Sequence, residues 1–346
     1  MGFLNRKPKK LGLKVFADYH HGGLYHALYM LFVERLGCEL YRPVGLEWVN
    51  EGIWRYSENP PTQRQYLALE NHELRKDGYY YWRDNSEEID HKCLTFEQFQ
   101  EMPIDIIIGS VCQHELSFFY LQRKYKPKAK FIRLLGNSGE PIDFNVSRNI
   151  MDTTNLYPVP AGCTRVVLRQ EFPVHLFYYT PPPKEKRIRQ YLNCFNETPY
   201  YSIWHDYKKI LTEFEWKMHG LNGDDGFITP VSALAQSMRE TSFFWHIKQH
   251  GEGFGHIIHN AFAVGRPVIT VKNYYRGKMV YPMLVDGVTC IDLQNKSVAE
   301  NVGRIRYFSE PERLRKMCET ARDWFKKFVN YDREEEMIRR FLERLV

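Results

Sequence analysis

Residues 242–271 constrain the fold more than any other stretch of the chain. Ser242-Phe-Phe-Trp-His-Ile-Lys248 is a short run dominated by apolar and aromatic residues, as a strand buried on both faces of a sheet requires. Gly251, Gly253 and Gly255 follow, and glycine lets the backbone turn tightly and approach a ligand closely. A helix predicted from Gly255 sets Phe254, Ile257, Ile258, Ala261 and Phe262 on a face that packs on the sheet. His256, His259, Asn260 and Ala263 follow the same spacing on the opposite face, which is expected to look into a cleft. Gly265-Arg266-Pro267 stops the helix and residues 268–271 supply the next strand. Its free N–H groups and positive dipole end suit an anion, and a pyrophosphate fits there.

The same alternation runs through the rest of the chain. Strands are predicted at 14–18, 38–41, 103–110, 130–135 and 163–170, with a helix over 24–36, and a parallel sheet explains that order. Residues 47–100 break the rhythm with Trp48, Trp54, Tyr79, Tyr80, Tyr81 and Trp82, and read as an aromatic insertion. Pro181-Pro182-Pro183 cannot continue a strand or helix, and the charged residues beside it favour solvent. A second sheet is predicted from 190–195, 214–219, 242–248, 268–271 and 289–293, followed by a helical tail over 311–345.

A chain of 346 residues exceeds the usual size of one hydrophobic core, so two domains are expected. The predicted division is an N-terminal domain at 1–180, a second domain at 181–330 and a C-terminal helix at 331–346. Both domains read as doubly wound and Rossmann-like, which puts ligand sites at the carboxyl ends of their strands. That rule selects His20, His21, Gly22 and Gly23 after the first strand, His114 after 104–108, and Asn137. In the second half it selects Asn193 to Asn196, Gly220 to Gly226, and Lys248, whose ammonium sits where it neutralises a pyrophosphate; Arg266 and Lys272 are the alternatives.

The order Glu252-Gly253-Phe254-Gly255, then Gly265-Arg266-Pro267-Val268-Ile269, resembles the donor segment of retaining GT-B glycosyltransferases. In that group a second Glu stands eight positions after the first, and here Asn260 occupies its place. The resemblance implies two doubly wound domains facing across a cleft, with a final helix crossing back to the first domain. It also implies a sugar contact for Glu252, a ribose contact at position 260, and a histidine, here His114, presented toward the donor sugar. Cofactor-site residues on this reading are Lys248, Gly251, Gly253, Phe254, Gly255, His256, His259 and Asn260, with Gly22 and Gly23 of the first domain. No tightly bound cofactor is expected, the co-substrate being a UDP- or GDP-type nucleotide sugar, and the group works without metal. His256 and His259 share a face, but no carboxylate joins them there as a metal helix would need.

The acceptor is left open among a glycan, a lipid-linked sugar, a small molecule and a modified DNA base. Net charge of +6 permits nucleic acid. Against it, residues 47–100 hold 6 basic and 11 acidic residues, unlike a basic stacking surface. Arg123, Lys124, Lys126, Lys128 and Lys130 form the clearest basic cluster, equally suited to a solvated helix end or to acidic lipid at a membrane surface. A nucleotide-sugar epimerase or hydrolase of the same fold, and a non-catalytic nucleotide- or nucleic-acid-binding protein, are the competing readings. No apolar run is long enough to span a membrane, and the basic start lacks a signal-type core, so a cytoplasmic protein is expected. Seven dispersed cysteines without a CxxC pair read as reduced thiols.

Overall fold

The computed structural model describes residues 10–18, 22–43, 92–110, 112–139, 141–228, 230–249 and 253–346; the side chains of Cys93, Cys112, Gln113 and His114 lie outside that set. The chain divides into two compact units. The first takes the described residues up to Phe172 together with Tyr331–Val346, and the second takes Pro173–Asn330.

In the first unit the strands are β1 (Lys14–Ala17), β2 (Glu39–Pro43), β3 (Lys92–Leu94), β4 (Ile106–Gly109), β5 (Lys130–Leu135), β6 (Asn149–Asp152) and β7 (Thr164–Val167). They form one parallel sheet in the order β3-β2-β1-β4-β5-β6-β7. Alternation along each strand sends residues to two cores. Val15, Ala17, Ile106, Ile108, Ile132 and Leu134 enter one, where α1 (Gly22–Tyr29) contributes Leu24 and Leu28. Phe16, Ile107 and Phe131 enter the other, covered by Phe99 of α2 (Phe96–Glu101) and by Phe118 and Leu121 of α3 (Cys112–Tyr125).

The C-terminal helix α9 (Tyr331–Glu343) buries Ile338, Phe341 and Leu342 in the first of these cores. Ion pairs fix its start. Arg35 reaches both Glu171 at 2.6 Å and Asp332 at 2.8 Å, and Glu334 accepts from the Arg169 amide at 2.7 Å.

The second unit holds β8 (Arg187–Gln190), β9 (Glu215–Met218), β10 (Phe243–Trp245), β11 (Val268–Thr270) and β12 (Cys290–Asp292), all parallel, in the order β12-β11-β10-β8-β9. Helices α4 (Tyr201–Ile210), α5 (Val231–Arg239), α6 (His256–Ala263), α7 (Val298–Phe308) and α8 (Pro311–Phe328) complete it. Its core is aromatic, and Trp204 stands edge-on to Trp216 at 4.6 Å and to Trp245 at 5.7 Å.

Four features differ from the sequence reading. The insertion expected over 47–100 lies for the most part outside the described residues, but its end is regular structure: β3 pairs with β2, and α2 starts in a capping box of Thr95 and Gln98. The first strand of the second sheet is Arg187–Gln190 rather than 190–195. Its arginines hid it, yet Arg189 is only 5% exposed because Ser237 accepts from it at 2.9 Å and Glu215 and Glu240 lie beside it. Strand β6 is additional, and Ile150 and Met151 alone are too short an apolar run to mark a strand in the sequence. The proline run also lies inside the second unit, where Thr180 and Pro181 accept hydrogen bonds from Arg266.

Candidate functional site

Strand order locates the ligand-binding edge of each sheet. A parallel sheet whose connections reverse direction leaves a crevice at the carboxyl ends of the two strands flanking the reversal. In the second unit that point lies between β8 and β10, so the loops starting at Tyr191 and at His246 border it.

The loop after β10 is tightly held at its start. The His246 carbonyl accepts from the Thr270 hydroxyl at 2.6 Å and from the Tyr275 hydroxyl at 3.3 Å, and Ile247 is fully buried. Lys248 is half-buried, and Gln249 accepts from the Tyr200 hydroxyl at 3.2 Å. His250, Gly251 and Glu252 lie outside the described residues. Gly253, Phe254 and Gly255 are buried and lead directly into α6.

Gly255 is the N-cap of α6, with φ +81° and no side-chain cap. A Cβ there would stand 2.7 Å from Val280 Cγ1, so both backbone conformation and space demand glycine. The amides of Ile258 and His259 both donate to the Gly255 carbonyl at 3.1 Å. The amides that precede them are those that a helix leaves without an intrahelical acceptor, and they point from its positive end.

The two-faced helix of the sequence reading needs correction. His256 is half-buried, whereas His259 and Asn260 are fully buried and do not form an open face. His259 is a brace, its Nδ1 3.0 Å from the Gly255 carbonyl oxygen and its ring stacked on Phe254. Asn260 is a buried amide whose Nδ2 and Oδ1 have no hydrogen-bond partner among the described residues. Arg266 is no ligand for an anion either. Its buried guanidinium donates to Thr241 O at 2.7 Å, Thr180 O at 2.8 Å and Val264 O at 2.9 Å. Lys272 lies with its Nζ 5.0 Å over the Tyr281 ring.

On the other side of the reversal, the loops predicted around Asn193 and Gly220 meet. Leu221 donates its amide to Asn193 Oδ1 at 2.9 Å, and Cys194 donates to Leu221 O at 2.6 Å. A Cβ on Gly220 would stand 2.6 Å from Leu192 O, which is why glycine occupies that contact. His219, at the end of β9, stacks on Tyr191 at 5.4 Å, and burial pushes its pKa below the ordinary histidine value.

In the first unit the reversal falls between β1 and β4. Gly22 and Gly23 open α1 after β1, and His114 occupies the first turn of α3 after β4. His20 and His21 lie outside the described residues, as does the side chain of His114. Glu115 next to it is buried, accepts from the Ser147 hydroxyl and lies 3.8 Å from Arg133; burial raises its pKa.

Neither a protein-family model nor a curated protein matches the sequence. Solved structures match the fold. HepE from Anabaena, solved with UDP-glucose, is similar over 96% of this chain and 100% of its own, with a TM-score of 0.65 and 11% identity. Sucrose-phosphate synthase from Thermosynechococcus elongatus is similar over 96% and 99%, with a TM-score of 0.62 and 10% identity. A glycosyltransferase from Rickettsia africae gives 96% and 98%, a TM-score of 0.62 and 13% identity. The chain has the GT-B fold.

Within this GT-B chain, two buried polar groups escaped sequence reading. Asp18 follows β1, is 2% exposed, and its Oδ2 accepts from the Ser110 amide at 2.7 Å, tying together the strand ends at the reversal. Its position after an apolar strand was the available signal. Lys278 is 5% exposed, with its Nζ 5.2 Å over the Tyr275 ring, two residues before the Val280 that packs on Gly255. No helix among the described residues is long and apolar enough to cross a membrane. Among the same residues, no three His, Cys, Asp or Glu side chains gather as a metal-holding group.

Proposed function

We propose that the chain is a glycosyltransferase that moves a sugar from a UDP- or GDP-type nucleotide sugar onto an acceptor hydroxyl, with retention of configuration and without a metal ion. One observation carries this reading. The glycine turn ending at Gly255 opens α6 with uncapped amides beside the β8/β10 reversal, in a chain that shares its fold with a HepE structure holding UDP-glucose.

The chemistry follows from the charge that develops as the sugar leaves. Negative charge grows on the pyrophosphate, and positive charge spreads over the anomeric centre. The first amides of α6 and the Lys248 ammonium stabilise the leaving group, with Gly251, Gly253 and Phe254 shaping the turn around it. Glu252 is assigned to orienting the donor-sugar hydroxyls, and His114 is assigned a contact with the donor sugar. His21, ahead of Gly22 and Gly23, is assigned to the acceptor side. Asn260 is assigned to the nucleotide ribose, whose hydroxyls offer both a donor and an acceptor to an amide that lacks both among the described residues, and the contact requires uncovering a side chain that is fully buried.

A thermal-shift screen of nucleotide sugars, followed by mass spectrometry of glycan, lipid-linked, small-molecule and hydroxymethylated-DNA acceptors, tests the activity. Sugar must appear on an acceptor; release of free sugar or an epimer without any acceptor transfer would replace the transferase reading. Glu252→Ala is expected to keep the wild-type unfolding midpoint and lose most transfer. Full activity in that variant removes the central assignment.

A further inference from the structure

A groove of about 590 Å³ opens on the first unit, lined by Arg123, Lys128, Lys130 and Arg148 with Phe119 and Phe131 among its walls. Lys130 begins β5 and Arg148 immediately precedes β6, so the groove lies at the amino-terminal edge of the sheet. Asp18 and the first turn of α3, by contrast, follow the carboxyl ends of their strands. The groove therefore lies apart from the strand-end crevice of its own sheet.

The cations are carried on a pinned frame. Gln122 Nε2 donates to Ala129 O at 2.8 Å, which fixes the turn between Lys128 and Lys130. Asn149 Nδ2 donates to Phe131 O at 3.0 Å, and Thr164 N donates to Arg148 O at 2.8 Å, which fixes the approach of Arg148. Phe119 meets Phe131 edge-on at 5.6 Å and gives the groove an apolar wall. Lys126, grouped with these residues by sequence, does not join them, because its ammonium donates to Gln100 O at 2.7 Å and Met102 O at 2.6 Å.

Charge pairing sets this cluster apart from several other cations of its unit. Arg35, Lys92, Arg165 and Arg169 each pair with a carboxylate. Among the described residues no ion pair involves Arg123, Lys128, Lys130 or Arg148, and no Asp or Glu lines the groove. Two cations at a helix end complement the helix dipole, but Lys128, Lys130 and Arg148 come from a turn and from two strand starts. Like charges converging without counter-charge create a field that concentrates anions. The volume is that of a site for a small organic ligand rather than for a single ion, within the range of roughly 300–1,000 Å³.

We propose that this groove binds a ligand bearing two or more phosphate groups, with arginine and lysine holding the phosphates and the two phenylalanines contacting the carbon frame. An anionic lipid headgroup and a soluble polyphosphorylated compound offer the same chemistry. Two arms separate them: calorimetric titration of the full chain with inositol hexakisphosphate, and sedimentation with vesicles containing cardiolipin, whose headgroup carries two phosphates, against pure phosphatidylcholine vesicles.

The double variant Lys128→Glu, Arg148→Glu is expected to weaken binding by at least about tenfold in whichever arm the wild type binds. The control Lys326→Glu, Lys327→Glu makes the same change in net charge on exposed residues of α8 and is expected to leave binding unchanged. Binding in the vesicle arm alone assigns a lipid headgroup, in the soluble arm alone a free phosphate ester, and in both arms the shared phosphate chemistry. The proposal is overturned by no binding in either arm, by equal losses in the two double variants, or by no loss in the groove variant. All three proteins are first matched for unfolding midpoint, and a groove variant that unfolds early is replaced by Lys128→Gln, Arg148→Gln.

Discussion

The imidazole of His259 lies flat on Phe254, with ring centroids 4.0 Å apart and planes 12° from parallel, while its Nδ1 sits 3.0 Å from the Gly255 carbonyl oxygen. One side chain thus fixes both flanks of the glycine turn, the aromatic residue before it and the carbonyl that begins α6. His259→Ala removes the stack and the hydrogen bond from a fully buried position. The expected loss is about 2–4 kcal/mol of unfolding free energy by urea titration. Nucleotide affinity falls as well if the turn holds the donor, which calorimetry with the best-binding nucleotide reads separately.

Gly255→Ala tests the turn from its backbone. Its φ of +81° and the 2.7 Å approach to Val280 act against any side chain, and the expected cost is about 2–4 kcal/mol from left-handed strain plus overpacking. Gly303→Ala supplies the contrast. That glycine lies inside α7 with nothing within 4 Å of the added carbon, so the change is expected to stabilise by about 1 kcal/mol. Urea midpoints moving in the same direction for both variants contradict this account.

Arg266 shows what a buried charge does when every donor is used. Its carbonyl partners include Thr241, Thr180, Val264 and Pro181, so it ties the chain that enters the second unit to the β10–β11 layer. Arg266→Met leaves those oxygens without their donor and is expected to cost at least about 3 kcal/mol. Arg266→Lys should recover less than half of that loss, because an ammonium cannot span the same set of oxygens. A lysine variant as stable as wild type would show that charge alone, and not the fork, is what the site uses.

Much of this architecture was legible because burial on both faces of a parallel sheet forces apolar runs such as Ile106-Ile107-Ile108 and Phe243-Phe244-Trp245, all fully buried. Glycine at 255 was legible for a related reason, since the turn admits nothing larger. The failures have physical causes too. Arg187-Ile-Arg-Gln190 forms a central strand because Arg189 finds Ser237 and two carboxylates across neighbouring elements, partners invisible in the linear sequence. Helical spacing likewise assigned His259 and Asn260 to one open face, but it does not say what covers that face, and both are fully buried. Lys126 was grouped with its neighbours by spacing, while backbone carbonyls at the end of α2 draw its ammonium away.

His219 gives the second unit a predicted weakness toward acid. Its ring is 8% exposed and stacked on Tyr191, and burial lowers its pKa in the folded state despite the nearby Asp225. The unfolded chain takes up a proton near the ordinary histidine value of about 6.5, whereas the folded chain resists it until lower pH. Between those two points the unfolded state binds more protons, so stability contributed by neutral His219 is complete above about pH 6.5 and declines as pH falls. Urea titrations at intervals from neutral to mildly acidic pH should therefore show a falling unfolding free energy. In His219→Gln, which keeps polarity without a titrating ring, that fall should be shallower over the same interval. An identical pH slope in wild type and variant would assign the acid sensitivity to other groups and leave His219 a packing residue only.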